Sequence, residues 1–170
     1  MKILKIIRDI DFGLDNPDPA VYKERKASRA VVFDKDKNIA LLRVAKKGFH
    51  KLPGGGIEKG ESITDAFFRE LTEEIGCSVD NLAELGIIEE YRNKLQIHQT
   101  SYCFMADLVG EKGLPTFDEG EMLDGFEPVW MNLKEAIETL KREASVQDYG
   151  GKFIQLRDLT FLRTVSDLAC

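Results

Sequence analysis

Apolar residues recur along this chain in two rhythms, short bursts in the first two thirds and helical spacing in the middle and at the end. Residues 3–12 (ILKIIRDIDF) predict a first strand, closed by the turn-rich Asn16-Pro17-Asp18-Pro19, with the 20s as a linker. Two apolar runs, residues 30–33 and 39–44, predict a hairpin joined by Asp34-Lys35-Asp36-Lys37-Asn38, and both strands should be largely buried. Residues 85–91 and 97–108 predict a second hairpin about Arg92-Asn93-Lys94, with imperfect alternation. A polar, acidic loop over residues 117–125 leads to a short strand at 127–131.

Helical spacing enters after Gly54-Gly55-Gly56. Ser62 followed by Asp65 resembles a capping box, and Gly76 is the residue type that ends helices in the left-handed conformation, so a helix is predicted over about residues 63–75. Asn132 can cap another that carries Leu133, Ala136, Ile137 and Leu140 on one side, and residues 152–168 predict a last one with Leu156, Leu159, Leu162 and Val165. The order is not a strict alternation of strand and helix, which favours a mixed sheet between helices.

With 170 residues the chain suits one domain, residues 1–170, with a full hydrophobic core, and 43% apolar with 32% charged residues is a globular composition. A net charge of −6 argues against a nucleic-acid partner, because such faces are basic. Small anionic substrates stay open if a cation bridges the charge. Cys77, Cys103 and Cys170 are odd in number and form no CxxC pair, which points away from a disulfide framework or a zinc site and fits a reducing cytoplasm. No run reaches the length of a membrane span, so a soluble, intracellular protein without a membrane partner is expected.

Charge patterning singles out the helix at 63–75. With Ile63 at zero on the helical wheel, Phe67, Leu71, Ile75 and Phe68 fall between roughly 40° and 140°, the predicted core face. Glu73, Glu70 and Glu74 fall at roughly 280°, 340° and 20°, one carboxylate patch bordering that face. Such a patch shares protons or holds a cation, and oxygen-only ligands select Mg²⁺ or Mn²⁺ and admit substrate phosphates in the remaining positions. The glycines let backbone carbonyls and amides approach a ligand. A Walker phosphate loop is excluded: Gly55 and Gly60 have its spacing, but Glu61 stands where the phosphate-binding lysine should be.

The joint spacing carries more than the patch. Gly55, five residues, Glu61, seven residues, then Arg69-Glu70-Leu71-Thr72-Glu73-Glu74-Ile75-Gly76-Cys77 resembles the Nudix box, with Cys77 in place of the final aliphatic residue. Leu52-Pro53-Gly54-Gly55 and residues 126–136 (FEPVWMNLKEA) also look like the family's flanks, so about residues 28–140 resemble a Nudix domain. The resemblance implies an α/β/α sandwich around a mixed β-sheet, and a MutT-related pyrophosphohydrolase that needs Mg²⁺ or Mn²⁺ and takes a small nucleotide. Carried over residue by residue, Glu73 and Glu74 would be the main metal ligands, Glu70 a further ligand or base, and the Gly54 carbonyl an additional ligand. Arg69 would orient the cluster, with Gly55, Glu61 and Gly76 shaping the loop and helix. A base outside the box is expected in the acidic loop, Glu121 ahead of Glu119, with Glu70 competing. Phe49, His50 and Tyr91 are weak candidates for touching substrate, although single aromatics such as Tyr91, Phe49 and Trp130 are more often core.

Substrate signals are mostly negative. The family's ADP-ribose proline is missing between Pro53 and Pro115, Tyr91 stands early for the dinucleoside polyphosphate tyrosine, and the coenzyme A signature is absent. A nucleoside triphosphate, including oxidised ones such as 8-oxo-dGTP, is left as the expectation, with nucleotide sugars, ADP-ribose or dinucleoside polyphosphates as alternatives. A non-catalytic Nudix-like nucleotide sensor and an isopentenyl diphosphate isomerase are rivals of other classes. Family habit further suggests a homodimer through the N-terminal strand and last helix.

Overall fold

Alternation in two central strands decides the architecture. In the computed structural model, which describes residues 1–143 and 148–168, these are β2 (Lys23–Phe33) and β3 (Asn38–Val44). Cys170 lies outside the described residues. Val31, Ile39 and Leu41 join one buried cluster, whereas Ala30, Val32, Ala40 and Leu42 join another. Strands that are apolar on both sides need a cover on each. One cover is α1 (Ile63–Ile75), through Phe67, Leu71 and Ile75. The other is α3 (Leu133–Glu143) and α4 (Tyr149–Leu168), through Ala136, Leu140, Phe153, Phe161 and Leu162. The chain thus forms the expected α/β/α sandwich around a mixed sheet.

The remaining strands are β1 (Ile3–Arg8), β4 (Phe49–Lys51), β5 (Ser78–Arg92), β6 (Ile97–Val109) and β7 (Phe126–Asn132). The order is β1-β5-β6-β2-β3-β4, with β7 paired to β3. β1 runs parallel to β5 and β2 parallel to β6, while β3 is antiparallel to β4 and β7.

The expected hairpin at residues 34–38 forms because the Asp34 carboxylate accepts bonds from the amides of Asp36 at 2.9 Å and Asn38 at 2.8 Å. Its strands pair only at Phe33↔Ile39 and then part. The edge that β2 loses is taken up by the glycine loop: Ala30 N donates to Pro53 O, Ser28 N to Gly55 O and Ile57 N to Lys26 O, each at 3.0 Å. Buried backbone groups must find partners, so this splice binds the loop to the centre of the sheet.

Several expectations are corrected. The first strand ends at Arg8, and Asp9–Phe12 forms a 3-10 turn held by the buried Asp9, which accepts from Asn16 and Tyr149. The supposed linker in the 20s is the first half of β2, paired residue for residue with β6 from Lys23↔Ile97 onward. Its charged residues hid an alternation in which Ala27 is buried between Arg25 and Arg29. Arg92 belongs to β5, and the turn is instead Asn93–Leu95, followed by Gln96 at φ 54°. The acidic loop folds into the short helix α2 (Glu119–Asp124) under an Asp118 cap. Phe68, at the margin of the predicted core face, is 45% exposed. Leu159, Leu162 and Val165 of α4, the apolar side expected for that helix, are packed inside this chain's own core.

Gly76 ends α1 at φ 63°, and a Cβ there would lie 2.4 Å from Leu114 O. Gly76→Ala should therefore lower stability by about 1–3 kcal/mol through combined backbone strain and overlap. Chemical denaturation will show a lower midpoint; an unchanged midpoint would mean the segment at 113–116 yields freely.

Candidate active site

The phase of α1 is set at its first turn. Ser62 Oγ accepts from Asp65 N at 3.1 Å while the Asp65 carboxylate reaches back to Ser62, the capping box expected from the sequence. With the start fixed and Phe67, Leu71 and Ile75 buried, Glu70 and Glu74 are turned inward toward the glycine loop. Glu74 is 1% exposed and Glu70 8%.

Buried carboxylates need partners, and the loop and β4 provide them. Glu74 accepts from Lys51 Nζ at 3.0 Å and from the Gly54 amide. Glu70 lies against Gly55, where a Cβ would come within 2.2 Å of Oε1. A Cβ on Gly54, at φ 124°, would lie 2.2 Å from Ser28 O. Both glycines are thus required by space.

Arg69 ties the cluster together. Its Nε and one terminal nitrogen grip both Glu61 oxygens at 2.8 and 3.1 Å. The other terminal nitrogen donates to Glu70 at 2.9 Å and Glu73 at 3.0 Å, and a further bond of 3.0 Å reaches Gly56 O. Hydrogen bonding to Glu61, more than any other contact, raises the Arg69 pKa further above its ordinary value, and that bond holds Glu61 below the usual carboxylate range. Burial, aided by the charge of Glu74, pushes the Glu70 pKa up against the opposing pull of Arg69.

Glu121 approaches from the other side on α2. Its amide donates to Asp118 at 2.8 Å, and its carboxylate accepts from Asp118 N at 2.9 Å, which fixes the side chain at the mouth of the site. Burial raises its pKa, with the charges of Glu74 and Asp118 acting in the same direction. Two cavities meet at this point. One of about 510 Å³ is bounded by Arg69, Glu70, Glu73, Thr116, Asp118 and Glu121. The other, of about 520 Å³, runs from Glu70, Glu74 and Glu121 past Gly54, Gly55 and Gly56, between Phe49 and Phe126, to Arg25, Arg29, Arg92 and Arg157.

The structure thus brings together Gly54, Gly55, Glu61, Arg69, Glu70, Glu73, Glu74 and Glu121, and it places Phe49 in a cavity wall. His50, Tyr91 and Glu119 line neither cavity. His50 is bonded to Glu143 through its ring at 2.7 Å and its amide at 2.8 Å, and so anchors α3. Tyr91 stacks on His98 at 4.3 Å beneath Arg8. Trp130 is covered by Lys112 at 4.2 Å. Cys77 is buried in the α1-side core with its thiol pKa raised by burial, as a small apolar residue would sit.

Lys51 and the arginines were not anticipated. Residues Arg25 and Arg29 share the α4 side of β2 with Val31, a period-two signal masked by their charge. Arg157 lies on the helix predicted over residues 152–168 and is 1% exposed.

The donors fit a hard divalent cation by chemistry: carboxylates and glycine carbonyls, with a buried like-charge pair in Glu70 and Glu74. Among the described residues no three His, Cys, Asp or Glu side chains converge into a closed site, because Arg69 and Lys51 engage these carboxylates separately.

The model of the NUDIX domain family matches residues 23–150, and the chain belongs to that family. An RNA pyrophosphohydrolase of Ruthia magnifica subsp. Calyptogena magnifica is 44% identical over 62 residues, 36% of this chain and 35% of that protein. An ADP-ribose pyrophosphatase of Methanocaldococcus jannaschii is 32% identical over 82 residues, 46% and 48% of the two chains. These curated relatives are therefore spanned over only about a third to a half of their length. A MutT NUDIX hydrolase from Burkholderia pseudomallei has the same fold, with a TM-score of 0.54 at 23% identity over 66% of this chain and 85% of its own. A Mutator MutT protein from Bacillus halodurans superposes with a TM-score of 0.54 at 27% identity, covering 68% and 72%. Among the described residues no helix is long and apolar enough to cross a membrane.

A lysine at position 69 could not fork between Glu61, Glu70, Glu73 and Gly56. Arg69→Lys should reduce hydrolytic turnover by about 10–100-fold, the scale of a lost positioning contact, with the far-UV spectrum unchanged. Turnover within twofold of wild type would show that charge alone suffices.

Proposed function

We propose that the chain is a divalent-metal-dependent pyrophosphohydrolase that cleaves a phosphoric anhydride in a nucleotide derivative, with nucleoside triphosphates, oxidised ones included, as the favoured substrates. The observation that supports this most directly is the buried Glu70 and Glu74 pair held against the glycine loop by Arg69 and Lys51. The names of the relatives, an RNA pyrophosphohydrolase and an ADP-ribose pyrophosphatase, fit the reaction and leave the substrate to this chain's own pocket. Residues 1–168 act as one unit in this reading, since β1 completes the sheet and α4 closes its core.

Glu73, Glu74 and the Gly54 carbonyl would hold Mg²⁺ or Mn²⁺, with Glu70 as a further ligand. When bound, the cation neutralises anhydride oxygens and acidifies water. Arg69 keeps Glu70 and Glu73 on one side of the cavity, and the Gly54 amide orients Glu74. Glu121 is the proposed base. Its raised pKa makes it a better proton acceptor than an ordinary carboxylate, and its capping bond points it at the junction of the two cavities. Attack on the anhydride of a triphosphate releases nucleoside monophosphate and pyrophosphate.

Glu73→Gln removes a charge from a half-exposed side chain, so the fold should persist while turnover falls about 100-fold or more and Mg²⁺ binding by calorimetry weakens. Near-normal turnover at saturating Mg²⁺ would overturn the metal assignment. Separately, Glu121→Gln should lower the turnover number by about 10²–10⁴-fold with Mg²⁺ affinity retained. An unchanged turnover number across pH would place the base elsewhere, with Glu70 next in line.

A further inference from the structure

The larger cavity is also lined by arginines whose hydrogen-bonding capacity the protein only partly satisfies. Arg29 is 5% exposed, and its guanidinium has one weak contact, 3.3 Å to Ser28 O; among the described residues it makes no ion pair. Its Nε finds no hydrogen-bond partner among them. Arg157, also buried, pairs with Asp158 at 2.7 Å and approaches Glu90 at 3.6 Å, and yet one terminal nitrogen is left unpartnered. Arg92 shares Glu90 at 2.8 Å and leaves its Nε unpartnered. Arg25 reaches the same group through Gln99. Of these four guanidinium groups only those of Arg92 and Arg157 are ion-paired, with Glu90 and Asp158, and Asp158 is further committed to the Leu52 amide at 2.9 Å.

A buried, unpaired cation is disfavoured by desolvation and by its like-charged neighbours. Burial first, then the charge of Arg157, pulls the Arg29 pKa down to about 10. Packing alone gives no reason to collect these groups, since apolar side chains would fill the same volume more cheaply. An oxyanion that accepts several forked donors would satisfy them together.

We propose that this arginine cluster is a subsite for a phosphate group of the substrate that lies outside the anhydride being cleaved. The cavity is then lined both by cation-seeking carboxylates and by phosphate-seeking guanidinium groups, with the glycine loop and the Phe49 and Phe126 rings in the same wall. The phosphate is either the distal member of a linear chain of three or more, or a phosphate ester on the group attached to a diphosphate. A diphosphate joined to an uncharged sugar leaves the cluster unfilled. Calling this phosphate part of a substrate rests on the proposed hydrolytic function, whereas the oxyanion site itself does not.

Calorimetric titration of the metal-free full-length chain with inorganic phosphate tests the site without turnover. Wild type and Glu73→Gln should bind one phosphate alike, and Arg29→Gln should bind about tenfold or more weakly, as expected when a charged donor is lost. Removing an uncompensated charge should leave the melting temperature of unliganded Arg29→Gln at or above wild type, and Arg25→Gln, changed at an exposed residue of β2, is a second variant that should also weaken phosphate binding. No binding by wild type, or a lower melting temperature in Arg29→Gln with phosphate affinity retained, would overturn the proposal and leave the cluster structural. With Mg²⁺, Arg29→Gln should raise KM far more for a nucleoside triphosphate, or for a phosphorylated nucleoside diphosphate sugar, than for an unphosphorylated one. The first two compounds distinguish the two sources of the phosphate, and equal increases for all three would also overturn the assignment. Phosphate binding without hydrolysis of any compound would sustain the subsite and reject the hydrolytic function.

Discussion

The splice of residues 53–57 onto β2 is the contact on which the site depends. It exists because β2 and β3 separate after one pair, which leaves backbone donors of a central strand without a partner. Once the loop takes those bonds, each of three glycines is held beside a different glutamate or its clamp. The Gly54 amide meets Glu74, Gly55 gives room to Glu70, and the Gly56 carbonyl receives Arg69. A site assembled on sheet hydrogen bonds is more rigid than one on a free loop, as preorganised chemistry requires.

The same splice divides opposite charges. Glu70 and Glu74 come from α1, on one side of the sheet, whereas Arg29, Arg92 and Arg157 belong with the strand face and helix on the other. Direct neutralisation between the two groups would give a closed structural network and no need for a ligand. Here no ion pair joins the two groups among the described residues, although the charges of Glu74 and Arg29 act on each other across the cavity. A net charge of −6 agrees with this arrangement, because the cations that matter are enclosed in a pocket and do not form a basic face.

The α1 half of the site was legible because helix periodicity, capping and spacing all act locally. Ser62, Gly76 and the three glutamates could be placed on one helix from sequence alone, while the mixed sheet between helices followed from the order of elements and the α/β/α layering from the family resemblance. The arginine half was not legible. Arg25 and Arg29 sit in a stretch whose charge resembled a linker; β6 pairs alongside both, and Arg29 is buried while Arg25 stays exposed at the cavity. Lys51 lies on a three-residue strand too short to announce itself. The acidic segment before β7 resembled a loop for a similar reason: its Asp118 cap and Glu121 form a box that is brief and entirely polar.

This asymmetry explains why the reaction could be inferred more readily than the substrate. Anhydride hydrolysis needs closely spaced carboxylates, and closely spaced groups in space are most easily built from residues close in sequence. Discrimination between substrates needs groups beyond the bond that breaks, and the arginines proposed for it come from β2, β5 and α4, separated by up to 132 positions between Arg25 and Arg157. Such groups meet only through the tertiary fold. The unmet hydrogen bonds of Arg29, Arg92 and Arg157 are therefore observations that the motif does not contain, and the proposed phosphate subsite rests on them.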